Sequence, residues 1–519
     1  MLRLPSYAVN ALKATVLSLV AASSLHSQMI STPILDFQDL VALSKNEPLP
    51  PGLDVRLRRT LETPTVDNRA TQSGLPTRQP AVEGVGPVLR VAEWNIEHGV
   101  NFDLIRKALS GFPEFTGAAA DQAQNLREAD VIVLNEVDLG VKRTDYTDIA
   151  EELARALGMN YVFGVEFVEV DRLLDLGVES VRLDDEELSE KMQDQLRPDP
   201  DRYRGLEGNV ILSRYPIRNA RILRLPVCHD WFANELKAAS ALERGKRIAS
   251  KKVFLERIER EVRRGGRMAL IADIAVPEIP SGSATVVSVH LENKCKPGCR
   301  AKQMDAVLAS IRGAHHPVIL GGDLNTSGSD GTPTSFRREL MERVKNYEFW
   351  TAQLLKWGTP ASLPLLATAP VTYLKSYLDP TSVHMPVIAS NKEARMFRHV
   401  ENFRFEDGSA FDFRGDLERN LHGRERTLAN SNQRAYKGFE PTFVLKRDFG
   451  GLVGRYKLDW FLVSPSIPEP RSANMSYRLA PHFPRTMRDL NNATPGGISD
   501  HAPITVDLPL NEPSSGSLR

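Results

Sequence analysis

Six short apolar runs, scattered between Val88 and Val506, each carry a hydrophilic side chain at one end. They are VLRVAEWNIEHG, ADVIVLNEVD, ATVVSVHLE, PVILGGDLNT, YKLDWFLVS and GISDHAPITV. Runs of this length, rich in valine, isoleucine and leucine and bounded by turn residues, read as buried strands, and buried strands need a second layer on each face. Their polar ends are Asn95 and Glu97, Glu136, His290, Asp323 and Asn325, Asp459, and Asp500 with His501. One such residue means little, because Asp and Asn favour the turns that close strands. Six strand ends drawing on the same few side-chain types mean more. Carboxylates with two histidines and two asparagines suit a hard divalent cation and the cleavage of a phosphate ester.

Lys and Arg number 66 and Asp and Glu number 66, so no global field recommends a polyanionic partner, although a local cleft can be positive on a neutral chain. Arg3 and Lys13 precede the apolar stretch ATVLSLVAASSL, and Ala22 and Ser24 offer a small-residue cleavage position. Residues 1–27 are therefore expected to be a signal peptide, and the protein secreted or periplasmic. Residues 28–87, rich in Pro, Thr, Arg and Gln, are expected to be a low-order linker or arm, and 510–519 a disordered tail. Of three cysteines, Cys295 and Cys299 flank a Pro-Gly turn in CKPGC, where an exported protein could place a small disulfide.

Within the remainder, NFDLIRKAL and TDYTDIAEELARALGM have helical spacing, the second opening on Thr and Asp residues suited to a cap. Residues 232–264 form a basic helical candidate whose interspersed acids favour a solvated face. Insertions are expected near 170–206, 228–266 and 328–450. Asn95 and Glu97 alternate, as do Asp323 and Asn325, so each pair is expected on one strand face, with Trp94 turned to the core. A calcium loop starting at Asp323 fails at its twelfth position, Thr334, and no G-x-S-x-G occurs to suggest a serine hydrolase.

The order of these motifs resembles the endonuclease/exonuclease/phosphatase superfamily, from about Val88 to Leu508 within an expected domain 88–509. GGDLNT and SDHAPI are the most specific parts, followed by WNIEHG and LNEVD. The resemblance implies two packed mixed β-sheets flanked by helices, a four-layer α/β sandwich, and a phosphoesterase that uses Mg²⁺ or Mn²⁺. It implies Glu136, Glu97 and Asp500 at the metal, and Asn95 at phosphate or its neighbouring carboxylates. Asp323 would activate the attacking water, Asn325 position it, and His290 donate to a phosphate oxygen. His501 would face the scissile phosphate, oriented by Asp459. Gly208 and Asn209 in EGNVILSRYP resemble a segment whose asparagine lies near substrate, which marks Asn209 as a phosphate or substrate contact. Arg143 could contact phosphate, although a surface arginine is the plainer reading, and Arg300 and Gln303 open a helix without an assigned role. The substrate class stays open among nucleic acid, phospholipid and small phosphoesters, with a monomer expected. The competing reading is a catalytically silent binding module on the same fold.

Overall fold

The computed structural model describes residues 32–510 except 73–79, 83–84, 112–113, 173, 179–196, 238–260, 316, 327–392, 413–420, 423–426, 429–431, 433–439, 445–454 and 466–479. The signal-peptide expectation, the tail beyond Leu510 and most of the 328–450 insertion lie outside these residues.

Two sheets carry the molecule. The first holds β1 (Thr65–Asp67), β2 (Ala81–Val82), β3 (Gly86–Asn95), β4 (Val131–Leu139), β5 (Asn160–Glu169), β6 (Leu206–Ser213), β8 (Arg263–Gly265) and β17 (Ile504–Pro509). Its main order is β1-β5-β6-β4-β3-β17, with β2 on β3 and β8 on β5. The second sheet, in the order β16-β11-β10-β9-β7, holds β7 (Ile217–Arg224), β9 (Met268–Ala275), β10 (Ser283–Val289), β11 (Val318–Asp323) and β16 (Asp459–Ser464). Pairing is parallel between β3 and β4 and between β10 and β11, and antiparallel elsewhere in these sheets. Short ladders join β12 (Leu421–His422) to β13 (Thr427–Leu428) and β14 (Phe443–Val444) to β15 (Arg455–Tyr456).

Alternation along each strand sorts side chains into layers. Val91, Val131, Val133, Ile211, Ile319, Phe461, Val463 and Val506 point between the sheets and form one core. Ala92, Trp94, Ile132, Leu134, Val210 and Leu212 point to the other side of the first sheet. There they meet α3 (Phe102–Ser110), α4 (Ala118–Arg127) and α5 (Ile149–Leu157), and the sequence foretold α3 and α5. Asp148 caps α5, its side chain accepting from Glu151 N, and left-handed Gly158 ends it. Val287, Leu320, Trp460 and Leu462 leave the second sheet's outer face to pack on α6 (Pro297–Ser310) and α7 (Ala394–Asn402). The layers are thus helix, sheet, sheet, helix, as the family resemblance implied.

Three expectations need correction. Residues 32–72 are no loose arm: Phe37–Leu43 (α1) and Pro51–Glu62 (α2) bury Leu40, Leu43, Leu53 and Leu57, and β1 pairs with β5. Leucines three and four apart supply the apolar stripe that the surrounding Pro, Thr and Arg obscure. Most of the basic helical candidate, residues 238–260, lies outside the described residues, and its expected end at 264 does not hold, because Arg263–Gly265 is strand β8, a rung on β5. Finally, Cys299 pairs with Cys228, Cα atoms 5.9 Å apart, and Cys295 is free. Cys228 follows β7 and Cys299 lies in the first turn of α6, so packing brings together what seventy residues of sequence separate, while the Pro-Gly turn between Cys295 and Cys299 opens the helix. No helix among the described residues is long and apolar enough to cross a membrane.

Candidate active site

The residues that point between the sheets change character at one end of the sandwich. Along β3 the inward row runs Val91, Glu93, Asn95; along β4 it runs Val131, Val133, Asn135. Along β11 it ends in Asp323, and along β16 it begins with Asp459. The same alternation that builds the apolar middle layer therefore sets a row of amides and carboxylates at its mouth.

There the side chains meet. Asn95 Nδ2 lies 3.1 Å from Glu136 Oε1 and 3.3 Å from Asp323 Oδ2, joining an acid of the first sheet to an acid of the second. His290 Nε2 stands 3.8 Å from both of those carboxylates, and His501 Nε2 3.8 Å from Asp323 Oδ2. His501 Nε2 is also 4.0 Å from Asp500 Oδ1. Asp459 faces His501 Nδ1 with both oxygens, at 3.1 and 2.9 Å. His501 is anchored by its backbone too, because its carbonyl accepts from Trp94 Nε1 at 2.9 Å and its N–H donates to Ser499 Oγ at 3.2 Å. Ser499 Oγ in turn donates to Asn95 O at 2.8 Å. These contacts pin the SDHAPI turn against β3.

Local backbone shape directs the acids. Glu136 sits in a bulge between Leu134 and Val137 with φ 53°, which turns its side chain out of the strand's normal alternation and into the mouth. Gly322 approaches β10 so closely that a Cβ there would lie 1.8 Å from Val289 O. That closeness sets Asp323 beside the His290 strand.

Charge is concentrated and buried. Burial alone would push His501 toward neutrality, but the Asp459 carboxylate outweighs it and holds the imidazole well above its ordinary pKa, while His501 keeps Asp459 below the usual carboxylate range despite burial. Glu136 is likewise held low against its burial by His98, His290 and His501. Asp323 is shifted the other way, upward, by burial and by its neighbour Asp459. An acid that takes up protons more readily than Glu136 or Asp459 is suited to accept one from water.

The sequence pattern of the Endonuclease/Exonuclease/phosphatase family matches residues 92–501. The chain belongs to that family. Its members act on phosphoester bonds, so phosphoester hydrolysis is the general activity of this chain. Similar solved structures include an endonuclease/exonuclease/phosphatase from Beutenbergia cavernae DSM 12333, at 16% identity over 82% of this chain and 72% of that one, TM-score 0.37. They also include a 3' phosphatase from Neisseria bound to a product DNA hairpin, at 15% identity over 81% and 99%, TM-score 0.38. An AP endonuclease from Archaeoglobus fulgidus shares 11% identity over 81% and 99%, TM-score 0.37. No curated protein matches the chain in sequence.

Not every family position lies where the sequence suggested. Strand β3 ends at Asn95, and Glu97 follows in a 3₁₀ turn with φ 48°, its N–H donating to Asn95 Oδ1 at 3.1 Å. The alternation expected of Asn95 and Glu97 therefore does not hold; the residue of that turn that reaches Glu136 is His98. Asn325 likewise lies beyond β11, at φ 50°, and its amide donates to Leu291 O at 2.9 Å, fastening the Asp323 turn to the His290 strand. Asn209 is fully buried, its carbonyl accepting from Asn135 Nδ2 at 2.9 Å, which makes it a support for Asn135 instead of an exposed phosphate contact. Arg143 is exposed, as read from the sequence, yet its guanidinium makes paired bonds to buried Asp138 and Glu169. Arg300 and Gln303 are buried at the start of α6, where Gln303 accepts from Glu292 N.

Three contributors escaped the sequence reading. Asn135, in LNEVD, accepts from Asp323 N at 2.9 Å while donating to Asn209 and to Ser288 Oγ, and so locks the two sheets in register at the mouth. Glu166 lies 3.2 Å from His290 Nδ1, a second carboxylate and imidazole pair. Arg267 binds Glu166 at 3.0 Å and sits against the His290 ring. Burial and Arg267 press His290 toward neutrality, and Glu166 reverses the balance, leaving its pKa raised. Asn135 left a trace in sequence as part of LNEVD, and Glu166 as the inward acid of the alternating run YVFGVEFVEV.

Proposed function

We propose that this family member is a divalent-metal-dependent phosphoesterase that uses Mg²⁺ or Mn²⁺, is exported, and acts as a monomer on a phosphodiester or phosphomonoester. The observation that carries the reading is the Asn95 amide bridging Glu136 and Asp323, with the Nε2 atoms of His290 and His501 both facing the same Asp323 oxygen. Carboxylate oxygens dominate the donor set, which fits a hard cation better than a thiophilic one. Glu136 and Asp500, both partly open to solvent, would hold it. When bound, the ion neutralises phosphate charge and eases departure of the alkoxide.

A second grouping deserves weighing, since ligand atoms of Asp323, Asp459 and His501 lie within 4.8 Å of one another. Asp459 already spends both oxygens on His501 Nδ1, and an ion between them would have to break that contact. Asp459 therefore reads as the orienting acid. It leaves Nε2 of His501 as the donor toward a phosphate oxygen, with His290 Nε2 as a second donor held by Glu166. Asp323 takes the proton of the attacking water.

The neutral net charge offers nucleic acid no global attraction, so phospholipid and small phosphodiester substrates stand beside it. The Cys228–Cys299 disulfide supports an oxidising compartment. The test is turnover of bis-(p-nitrophenyl) phosphate, DNA, RNA, phosphoinositide and sphingomyelin by purified protein. Activity is expected to vanish in EDTA and in Glu136→Ala, and in the native chain to return with Mg²⁺ or Mn²⁺; full activity in chelator contradicts the proposal.

A further inference from the structure

We infer that His98, held in place by Arg143, is a positioning residue for the Glu136 carboxylate and so sets how tightly the site takes a divalent cation. This rests on the metal role proposed for Glu136.

The turn that carries His98 is costly. Glu97 and His98 have φ 48° and 60°, a left-handed backbone that side-chain-bearing residues avoid and that persists where surrounding contacts over-determine it. The contacts are specific. His98 Nε2 lies 3.6 Å from Glu136 Oε2, and Nδ1 lies 3.1 Å from Arg143 Nη2. Arg143 cannot swing away, because Asp138 takes its Nε and Nη2 at 2.7 and 2.6 Å, and Glu169 takes Nη1 and Nη2 at 2.9 and 2.7 Å. Asp138 and Glu169 are themselves buried.

A guanidinium has no acceptor, so in the neutral ring Nδ1 must offer its lone pair to Arg143 and the hydrogen must sit on Nε2. In the protonated ring Nε2 carries a hydrogen as well, and Nδ1, now also a donor, faces Asp138 Oδ1 at 3.6 Å in place of accepting from Arg143. Either way an N–H faces Glu136. The same ring also sees Glu261 Oε1 at 3.9 Å from Nε2, and Asp138 Oδ1 and Glu207 Oε2 at 3.6 and 4.0 Å from Nδ1.

Glu136 is thus flanked on both oxygens, by the Asn95 amide at Oε1 and by His98 at Oε2. At 3.6 Å the His98 contact is electrostatic in range and longer than a hydrogen bond. Two donors on opposite sides fix the rotation of the carboxylate and direct its remaining lone pairs toward the mouth shared with Asp323. Partners of this kind, which touch a metal ligand and not the metal, typically govern about ten- to hundredfold in metal affinity.

The experiment is Mn²⁺ titration of chelator-stripped protein, read by the loss of free-ion electron paramagnetic resonance signal. His98→Ala is expected to weaken Mn²⁺ binding about ten- to hundredfold, titrated at a temperature where its thermal transition shows the metal-free chain still folded. His98→Gln, which returns an N–H donor at similar reach, is expected to recover most of the affinity, a rescue that loss of packing would not predict. Native Mn²⁺ affinity in His98→Ala, or equal weakness in His98→Gln and His98→Ala, overturns the inference. Glu136→Ala is the separate control: if it binds Mn²⁺ as the native chain does, the metal role of Glu136 falls, and His98 has nothing to position.

Discussion

Replacing Asp459 by Asn tests the arrangement at its most constrained point. The carboxylate is fully buried and both its oxygens face His501 Nδ1, the nearer at 2.9 Å. At an effective dielectric constant of about 20, opposite unit charges at that separation attract by roughly 6 kcal/mol. An amide keeps the shape but removes the charge, and it can present its NH₂ instead of its oxygen, so the imidazole loses both its cationic bias and its fixed tautomer. Turnover should fall by about 10² to 10⁴, or ~3 to 5 kcal/mol in the barrier. Metal affinity should hardly move, because the carboxylate is committed to the histidine. His501→Ala should cost at least as much, and Asp459→Asn with His501→Ala little more than His501→Ala alone, since two groups working as one unit are not additive. The assay is single-turnover and steady-state cleavage of bis-(p-nitrophenyl) phosphate for all four chains, with Mn²⁺ titration alongside. Multiplicative losses, or a large drop in Mn²⁺ affinity for Asp459→Asn, would make Asp459 a metal ligand and refute the reasoning.

Gly322→Ala should destabilise the chain by about 3 kcal/mol in chemical denaturation and abolish turnover, because the added carbon would meet Val289 O at 1.8 Å and push Asp323 out of place; native stability with native turnover would contradict this. Burial lowers the Lys457 pKa to about 7 from its ordinary 10.5, so between those values the unfolded chain carries a proton that the folded chain lacks. Folding stability should therefore rise with pH across that window, by up to about 1.4 kcal/mol per pH unit from this group, and be flat in it below pH 7. Lys457→Met should remove the rise, and equal slopes in the two chains would refute the assignment. Peptide mapping without reduction should recover Cys228 joined to Cys299 with Cys295 free, and reduction should cost about 4 kcal/mol for a loop of this length; a Cys295–Cys299 peptide would overturn the pairing.

The sandwich was legible because strand alternation and polar ends are local signals: Asn95, Glu136, His290, Asp323, Asp459 and His501 could be marked from runs of ten residues, and the structure gathers them. What failed were inferences that needed the backbone or a distant partner. Glu97 would share a face with Asn95 only if β3 continued past Asn95, whereas the chain turns left-handed there. Asn209 looked available because its segment resembles a substrate-facing one, but alternation alone cannot tell the interior of a two-sheet sandwich from its mouth. His98, Asn135 and Glu166 act through partners on other strands, and no spacing within one run encodes such a pairing. The leucines of residues 32–72 and the Cys228–Cys299 bridge share that limitation, the first hidden by composition and the second by sequence distance.

The strand order of the first sheet also governs when the mouth can come into being. β17 lies beside β3, with Ile504 opposite Glu93 and Leu508 opposite Leu89, and His501 enters the cluster just ahead of it. Glu136 and Asn95 leave the ribosome early, yet they have no His501 or Asp459 to meet until nearly all of the described chain has followed. A nascent polypeptide halted before His501 holds Asp323 and Asp459 without that imidazole, so the mouth is complete only once residue 501 has been added.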